Sequence, residues 1–203
     1  MKHIKPIYEF FNRKPEYCIE ITTANIKDNL KNIANAVVKA LDYLSDKEIG
    51  GKEFLKEIAM TETKLGTDPN TNRTTGNAGR GVWQIDEIGF DATKDVDSHP
   101  ILKKYHENLK RNGIDWDDVE WDDCNKLIYG AIAARLLIAV KPFKINENRA
   151  YRAYQWKKYY NTNDGKGTAD DYWDRVRECY KKCGFSDKYA NITLAQYLKS
   201  IKN

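Results

Sequence analysis

The sequence has few of the residues that most often bind metals or form disulfide bridges. Its 203 residues include three histidines and four cysteines. The cysteines lack the paired spacing of a zinc site, and with no secretion signal none of the three possible disulfide pairings is favoured. We therefore predict no metal site, and we expect free, buried thiols at Cys18, Cys124, Cys179 and Cys183.

Long apolar runs are also missing. The longest one, residues 136–140, falls far short of the roughly 18 consecutive apolar residues that a membrane helix needs. We therefore predict no membrane span. The first residues contain neither an apolar segment nor the small-residue cleavage site of a secretory signal. We accordingly expect no signal peptide and synthesis in the cytoplasm.

A strong charge of one sign is absent as well. The net charge is +4, from 34 basic and 30 acidic residues, which is too small to indicate nucleic-acid binding. The charges are unevenly distributed, however, because residues 86–123 hold 12 acidic and 5 basic residues, whereas residues 141–203 hold 14 basic and 7 acidic ones. The basic final third is typical either of solvated helix faces or of a surface that meets an anionic polymer, such as nucleic acid or cell wall.

Helical periodicity dominates the chain. Apolar residues at three- and four-residue steps predict an amphipathic helix over residues 24–44. A second helix is predicted over residues 52–63, and Gly66 and Pro69 would end it. Further helices are predicted over residues 125–140, 148–160, 168–183 and 193–201.

One segment differs from this helical pattern. Residues 66–82 are polar and rich in glycine and turn-forming residues, and the short run 82–85 has the composition of a strand. We therefore predict an α+β fold that is mainly α, with a helical core and a small β-hairpin region. We divide the chain into an N-terminal helical extension, residues 1–50, and a main domain, residues 51–203, which together form one compact unit.

Glu62 is the first candidate for a catalytic residue. A carboxylic acid transfers protons near neutral pH only if its pKa is raised, which requires burial beside apolar groups. Glu62 follows the apolar residues 58–60 and lies near the C-terminal end of its predicted helix, where the helix dipole also disfavours a negative charge. The glycine-rich loop beyond it can line a cleft. A solvated surface acid is the alternative.

Three motifs occur in order around this residue. They are I-A-M-T-E-T-K-L-G at 58–66, G-N-A-G-R-G-V-W-Q-I-D at 76–86 and Y-Y-N-T at 159–162. Their order and spacing, over roughly residues 51–165, resemble the lysozyme-like superfamily, in particular the goose-type lysozymes and the peptidoglycan lytic transglycosylases. The last motif also resembles phage-encoded cell-wall lysins. The resemblance implies a lysozyme-like fold for the main domain.

The resemblance also implies roles for individual residues. Glu62 takes the place of the catalytic acid. Thr63 stands where the family usually has serine, and we predict that it contacts the substrate, as do Gln84, Tyr160 and Asn161. Gln84 matches the glutamine that follows the glycine-rich loop, where an amide can hold a sugar N-acetyl or hydroxyl group. Tyr160 and Asn161 match the pair that returns to the acid, so Tyr160 is expected to hydrogen-bond near the Glu62 carboxyl group.

Aromatic side chains near these motifs offer flat faces for sugar rings. We predict such a substrate contact for Trp83, with Trp156 and Tyr159 as further candidates. Core packing is the open alternative for the two tryptophans.

A second carboxylate would decide between two chemistries. An inverting hydrolase needs a base to activate water, whereas a lytic transglycosylase lets the sugar's own 6-hydroxyl group attack. Asp86 directly follows the matched Gln-Ile pair, as in goose-type lysozymes, and strand alternation would place it on the same face as Gln84. We therefore predict Asp86 as a second catalytic residue, with Asp68 as a weaker candidate. The loop 70–79 contains no acid.

Taken together, the motifs favour a cofactor-independent, monomeric enzyme that cleaves the β-1,4 bond between N-acetylmuramic acid and N-acetylglucosamine in bacterial peptidoglycan. Such an enzyme would be made in the bacterial cytoplasm and would reach the wall after release or as part of a phage particle. The alternatives are a lytic transglycosylase that forms 1,6-anhydro-muropeptides and a non-catalytic structural protein of a virus particle or cell envelope. A basic helical nucleic-acid-binding protein is a third alternative, although we expect no nucleic-acid partner.

Overall fold

The structure, a computed structural model, describes residues 25–68, 71, 79–162 and 165–201. Within these residues the chain is mainly helical, as predicted. The described residues form eight α-helices, which are α1 (Ile26–Leu44), α2 (Gly51–Thr63), α3 (Glu87–Ala92), α4 (Ile101–Arg111), α5 (Leu127–Ala139), α6 (Arg149–Gln155), α7 (Ala169–Lys182) and α8 (Leu194–Ser200). Two 3-10 segments, Trp116–Asp118 and Trp121–Asn125, lie between α4 and α5, and a π-helical turn, Trp156–Tyr160, extends α6.

The six predicted helices are confirmed, with ends that differ by at most two residues apart from the π-helical continuation of α6. Capping residues set several of these ends. The side chain of Asn25 accepts hydrogen bonds from the first backbone amides of α1, and the left-handed conformation of Ser45 ends that helix. The sequence analysis did not predict α3 and α4. They lie in the acidic segment, and α3 has only six residues.

Helix α5 is the centre of the fold. Apolar residues occupy all of its sides, and nearly the whole helix is buried. Helix α1 packs along α5 and against α2, while α2 and α6 pack against α7. Ile33, Val37 and Leu44 of α1 are fully buried in the same core as the later helices, so this part of the predicted extension is integrated into the main unit. None of the described helices is long and apolar enough to cross a membrane.

A buried ion-pair network joins α2 to α6 and α7. Arg152 donates hydrogen bonds of 2.6 and 2.7 Å to the two carboxyl oxygens of Glu57, and Arg149 donates one of 3.1 Å. The hydroxyl group of Tyr172 donates a further bond of 2.8 Å to Glu57, and Arg149 also pairs with Asp187. Because removing one partner would leave a buried charge uncompensated, this network fixes how α2 and α6 meet.

The predicted strand at residues 82–85 is wrong. Residues 81–84 form a tight turn, and a single antiparallel bridge between Arg80 and Ile85 closes it. The turn requires left-handed backbone at Gly81 (φ 63°) and Gln84 (φ 50°), which a strand cannot contain. A Cβ atom on Gly81 would lie 2.1 Å from the carbonyl oxygen of Cys124, so the turn packs directly on the second 3-10 segment.

Several predictions concern residues outside the described ranges. These are the first 24 residues of the predicted extension, Cys18, and most of the polar loop that was expected to form the hairpin. The cysteines within the described ranges confirm the expectation of free, buried thiols, at Cys124, Cys179 and Cys183.

Candidate active site

Glu62 lies in the last turn of α2, as the sequence indicated. Three successive residues then adopt left-handed backbone, Lys64 (φ 50°), Leu65 (φ 61°) and Gly66 (φ 80°), and turn the chain sharply away from the helix axis. The hydroxyl group of Thr63 stabilises this reversal. It accepts a hydrogen bond from the Gly66 amide and donates to the Val82 carbonyl oxygen at 2.9 Å. The hydroxyl group of Thr63 is therefore used within the fold, and it joins α2 to the 81–84 turn.

The carboxyl group of Glu62 is held in a largely desolvated position. Burial raises its pKa from the ordinary value of 4.5 to about 7. A hydrogen bond from Nε1 of Trp156 to Oε1 of Glu62, 2.7 Å long, and the positive charge of Arg175 both act in the opposite direction. Glu62 is thus a carboxylic acid that gains and loses a proton near neutral pH.

A cleft of about 200 Å³ opens beside this carboxyl group. Its lining residues are Glu62, Thr63, Asp68, Thr71 and Gln84. The cleft thus joins the acid, one further carboxylate and polar side chains that can bind a hydroxyl- or amide-bearing ligand.

Gln84 is placed in this cleft by the tight turn. Its amide nitrogen donates hydrogen bonds to the carbonyl oxygens of Gly81, at 2.8 Å, and Thr71, at 3.5 Å. Within the described part of the chain both bonds use the nitrogen, so the amide oxygen can accept a hydrogen bond from a ligand. This placement fits the ligand contact predicted for Gln84, although a turn rather than a strand creates it.

Tyr160 and Asn161 lie at the end of the π-helical turn. The hydroxyl group of Tyr160 donates a 2.6 Å hydrogen bond to the carbonyl oxygen of Trp83, not to Glu62 as expected. Burial and then the nearby carboxylates of Glu62 and Asp86 raise the pKa of Tyr160 well above its usual value. The amide nitrogen of Asn161 donates to the carbonyl oxygen of Gly167, which fixes the chain beyond the turn.

Trp83 does not offer a face to a sugar ring. Its side chain is fully buried, and its indole nitrogen donates a 2.9 Å hydrogen bond to the carbonyl oxygen of Leu55 in α2. The predicted substrate contact of Trp83 is corrected accordingly, because the turn directs this side chain into the core. Its structural contribution is to anchor the turn that carries Gln84.

Asp86 occupies a different position from the one that strand alternation suggested. It is exposed, and its side chain caps the N-terminus of α3 by accepting a 2.5 Å hydrogen bond from the Gly89 amide. Asp86 is not among the residues that line the cleft, whereas Asp68, the weaker candidate, is. The structure therefore brings together Glu62, Gln84 and Asp68.

Trp156 and Arg175 were not predicted to act on the acid. Trp156 was predicted from the sequence to be a sugar platform or a core residue, but its indole N–H donates a hydrogen bond to Glu62. Arg175 extends from α7 and donates a 2.6 Å hydrogen bond to the carbonyl oxygen of Thr61, next to Glu62. Local sequence gives no signal for the π-helical turn that positions Trp156. In the described residues, no group of acidic, histidine or cysteine side chains has the arrangement of a metal site.

Comparisons with protein families, with curated protein sequences and with solved structures find no match to this chain.

Proposed function

We propose that this protein is a peptidoglycan-degrading glycosidase in which Glu62 is the general acid. The observation that carries the proposal is the state of Glu62. Its carboxyl group is largely desolvated, lines a polar cleft and has a pKa raised to about 7. Cleavage of a glycosidic bond requires a proton on the leaving oxygen. A carboxylic acid with a pKa near the working pH supplies that proton efficiently and regains it readily.

The three ordered motifs support peptidoglycan as the substrate. They resemble those of enzymes that cleave the β-1,4 bond between N-acetylmuramic acid and N-acetylglucosamine. The amide oxygen of Gln84, which accepts no hydrogen bond from the described residues, suits the N–H of an N-acetyl group, and Gln84 lines the same cleft as Glu62. The proposed reaction is an acid-catalysed cleavage by side chains alone, and the protein would meet its substrate after release from the bacterial cell or within a phage particle.

Hydrolysis is our first candidate for the second half of the reaction. Asp68 lines the same cleft as Glu62, which supports it as our candidate for the carboxylate that activates a water molecule. Lytic transglycosylation is the second candidate, and one observation favours it. The carboxylate of Asp86 is exposed and occupied as a helix cap, so the aspartate that the motif offered as a base does not line the cleft.

Purified peptidoglycan sacculi provide the test. Glu62→Gln should abolish release of soluble muropeptides, with a loss on the order of 10²–10⁴-fold, because an amide cannot donate a proton in place of the acid. Glu53→Gln is the matched control, since Glu53 lies exposed on the same helix. Glu53→Gln should act like the wild type. A Glu62→Gln protein that digests sacculi at the wild-type rate would refute the proposal.

A further inference from the structure

The bond between Trp156 and Glu62 suggests how the acid is oriented. Resting on the function proposed above, we infer that Trp156 is the positioning residue of the acid. Its indole N–H holds Oε1 of Glu62 as the accepting oxygen, so that Oε2 carries the proton that is transferred to the leaving group. Trp156 itself does not contact the substrate in this account.

The geometry of the pair is well defined. Nε1 of Trp156 lies 2.7 Å from Oε1 of Glu62. The indole ring is 3% exposed, and it packs against Tyr172 with the ring centroids 5.5 Å apart. Gly167 lies directly behind the ring, where an added Cβ atom would be 2.6 Å from it. Trp156 therefore has little room to move away from the carboxyl group.

The chemistry of the indole group selects one oxygen. An indole N–H only donates, and it cannot accept a proton in exchange. In a neutral carboxyl group the carbonyl oxygen is the better acceptor, so the O–H group is left on the other oxygen. Among the described residues, no second side chain or backbone amide donates a hydrogen bond to this carboxyl group. Within the described residues, the hydrogen bond from Trp156 is therefore the contact that leaves the proton on Oε2 of Glu62.

The π-helical turn explains why Trp156 faces Glu62. Its widened ring is closed by a 2.9 Å hydrogen bond from the Asn161 amide to the Trp156 carbonyl oxygen. One turn thereby places two donors toward the site, the indole of Trp156 on Glu62 and the phenol of Tyr160 on the carbonyl oxygen of Trp83. π-Helical turns are frequent at functional sites, and this one directs the indole of Trp156 to the carboxyl group of Glu62.

The helices are held together without this bond. Arg152 and Glu57, which form the buried ion pair between α6 and α2, precede Trp156 and Glu62 by four and five residues. Because that pair already fixes how the two helices meet, loss of the indole N–H should change the carboxyl group more than the fold. Replacing Trp156 with phenylalanine keeps an aromatic ring in the core and removes the donor, together with the outer part of the indole that packs at Gly167, and Trp173→Phe below controls for that lost packing.

Two opposing effects then set the acidity of Glu62. Burial raises its pKa, and the hydrogen bond from Trp156 lowers it by stabilising the carboxylate. Removing the donor should move the pKa further upward, by about one pH unit for the loss of a charge-assisted bond. The proton would then be bound more tightly, and it could lie on either carboxyl oxygen. Both changes should slow its transfer to the leaving group.

The first test is an NMR titration of the wild-type protein that needs no activity and no change at Trp156. One of the five tryptophan indole N–H signals should shift with a midpoint near pH 7, and it should stop titrating in Glu62→Gln.

In Trp156→Phe, the side-chain carboxyl carbon of Glu62 should titrate about one pH unit higher than in the wild type. If no indole signal follows Glu62, or if the Glu62 midpoint is unchanged in Trp156→Phe, the inference is overturned.

The second test is kinetic. Trp156→Phe should lower kcat on purified peptidoglycan by about tenfold, with little change in KM, and should move the alkaline limb of the pH profile upward. Trp173→Phe is the matched control, because Trp173 is also buried and donates its indole N–H, but to the carbonyl oxygen of Ile192. That variant should lose stability and leave the Glu62 titration unchanged.

The two tests separate failure of this inference from failure of the proposed function. An active wild type whose kcat and pH profile are unchanged in Trp156→Phe overturns the inference alone. A Glu62→Gln variant that digests peptidoglycan normally overturns the proposed function, and with it any positioning role for Trp156.

Discussion

The hydroxyl group of Tyr160 donates a 2.6 Å hydrogen bond to the carbonyl oxygen of Trp83. This bond joins the π-helical turn after α6 to the tight turn that carries Gln84. The two turns come from distant parts of the chain, and each supplies a residue near Glu62. Tyr160 therefore holds the two sides of the candidate site together and does not itself contact the acid through a hydrogen bond.

This relationship predicts the effect of Tyr160→Phe. The carbonyl oxygen of Trp83 would lose its donor in a part-buried position, which should lower the free energy of unfolding by about 1–3 kcal/mol and reduce activity by loosening the turn. Urea denaturation and a peptidoglycan digestion assay would measure both effects. Tyr159→Phe is the control, since the Tyr159 ring stacks on Phe143 at 4.5 Å and should keep that contact. Unchanged stability in Tyr160→Phe would count against the bond.

The raised pKa of Glu62 predicts how stability depends on pH. Its folded-state pKa, about 7, lies above the ordinary value of 4.5, so the folded chain binds the proton more tightly than the unfolded chain. The resulting stabilisation is complete below about pH 4.5 and is lost as the pH rises toward and through 7. A shift of this size corresponds to roughly 3 kcal/mol.

Chemical denaturation at a series of pH values checks this dependence. The free energy of unfolding of the wild type, minus that of Glu62→Gln, should fall between pH 4.5 and about 7.5 and then level off. A difference that stays constant over this range would mean that burial does not raise the pKa of Glu62.

Substitutions of Asp68 and Asp86 should distinguish hydrolysis from transglycosylation. Asp68→Asn should lower activity by at least about tenfold if Asp68 activates water, and the wild-type products should carry reducing ends. Asp86→Asn should retain most activity, because asparagine also caps helix N-termini well. Mass spectrometry of the released muropeptides distinguishes the alternatives. Anhydro ends from the wild type, with activity surviving in Asp68→Asn, would establish transglycosylation instead.

The backbone at Gly81 predicts a structural variant of the site. Gly81→Ala should destabilise the protein by at least about 2 kcal/mol for two reasons. The new Cβ atom would collide with the Cys124 carbonyl oxygen, and an alanine would have to adopt the positive φ of this position. Gly113→Ala is a matched control with a similar φ of 79° and open space around the Cβ position. It should cost only about 1 kcal/mol. Similar melting temperatures for the two variants would show that the close approach at Gly81 does not matter.

Sequence patterns predicted six of the helices in the described residues, because most of these have an apolar stripe or, like α5, a long apolar run. They also placed Glu62 at the end of α2, where its neighbours are apolar. The turn at 81–84 was misjudged since Val82, Trp83 and Ile85 have strand composition, and their burial comes from insertion into the core instead. Local composition does not show that Gln84 adopts a positive φ.

The contacts of the acid were beyond prediction for a different reason. Trp156 reaches Glu62 across 94 residues of sequence, and a π-helical turn that no local pattern marks sets its direction. The buried ion pairs of Glu57 could not be predicted from local sequence either. Charged residues on helix faces usually indicate solvent exposure, and only the packing of α2 against α6 and α7 shows that Glu57, Arg149 and Arg152 are inside.

The central claim is that Glu62 delivers a proton from a carboxyl group whose pKa is raised to about 7. The most direct measurement is the pH dependence of kcat/KM for digestion of purified peptidoglycan by the wild type, with stability monitored at each pH. We expect kcat/KM to fall about tenfold per pH unit well above pH 7, because Glu62 loses its proton there. A rate that stays level or rises up to pH 9 in a folded protein would contradict it.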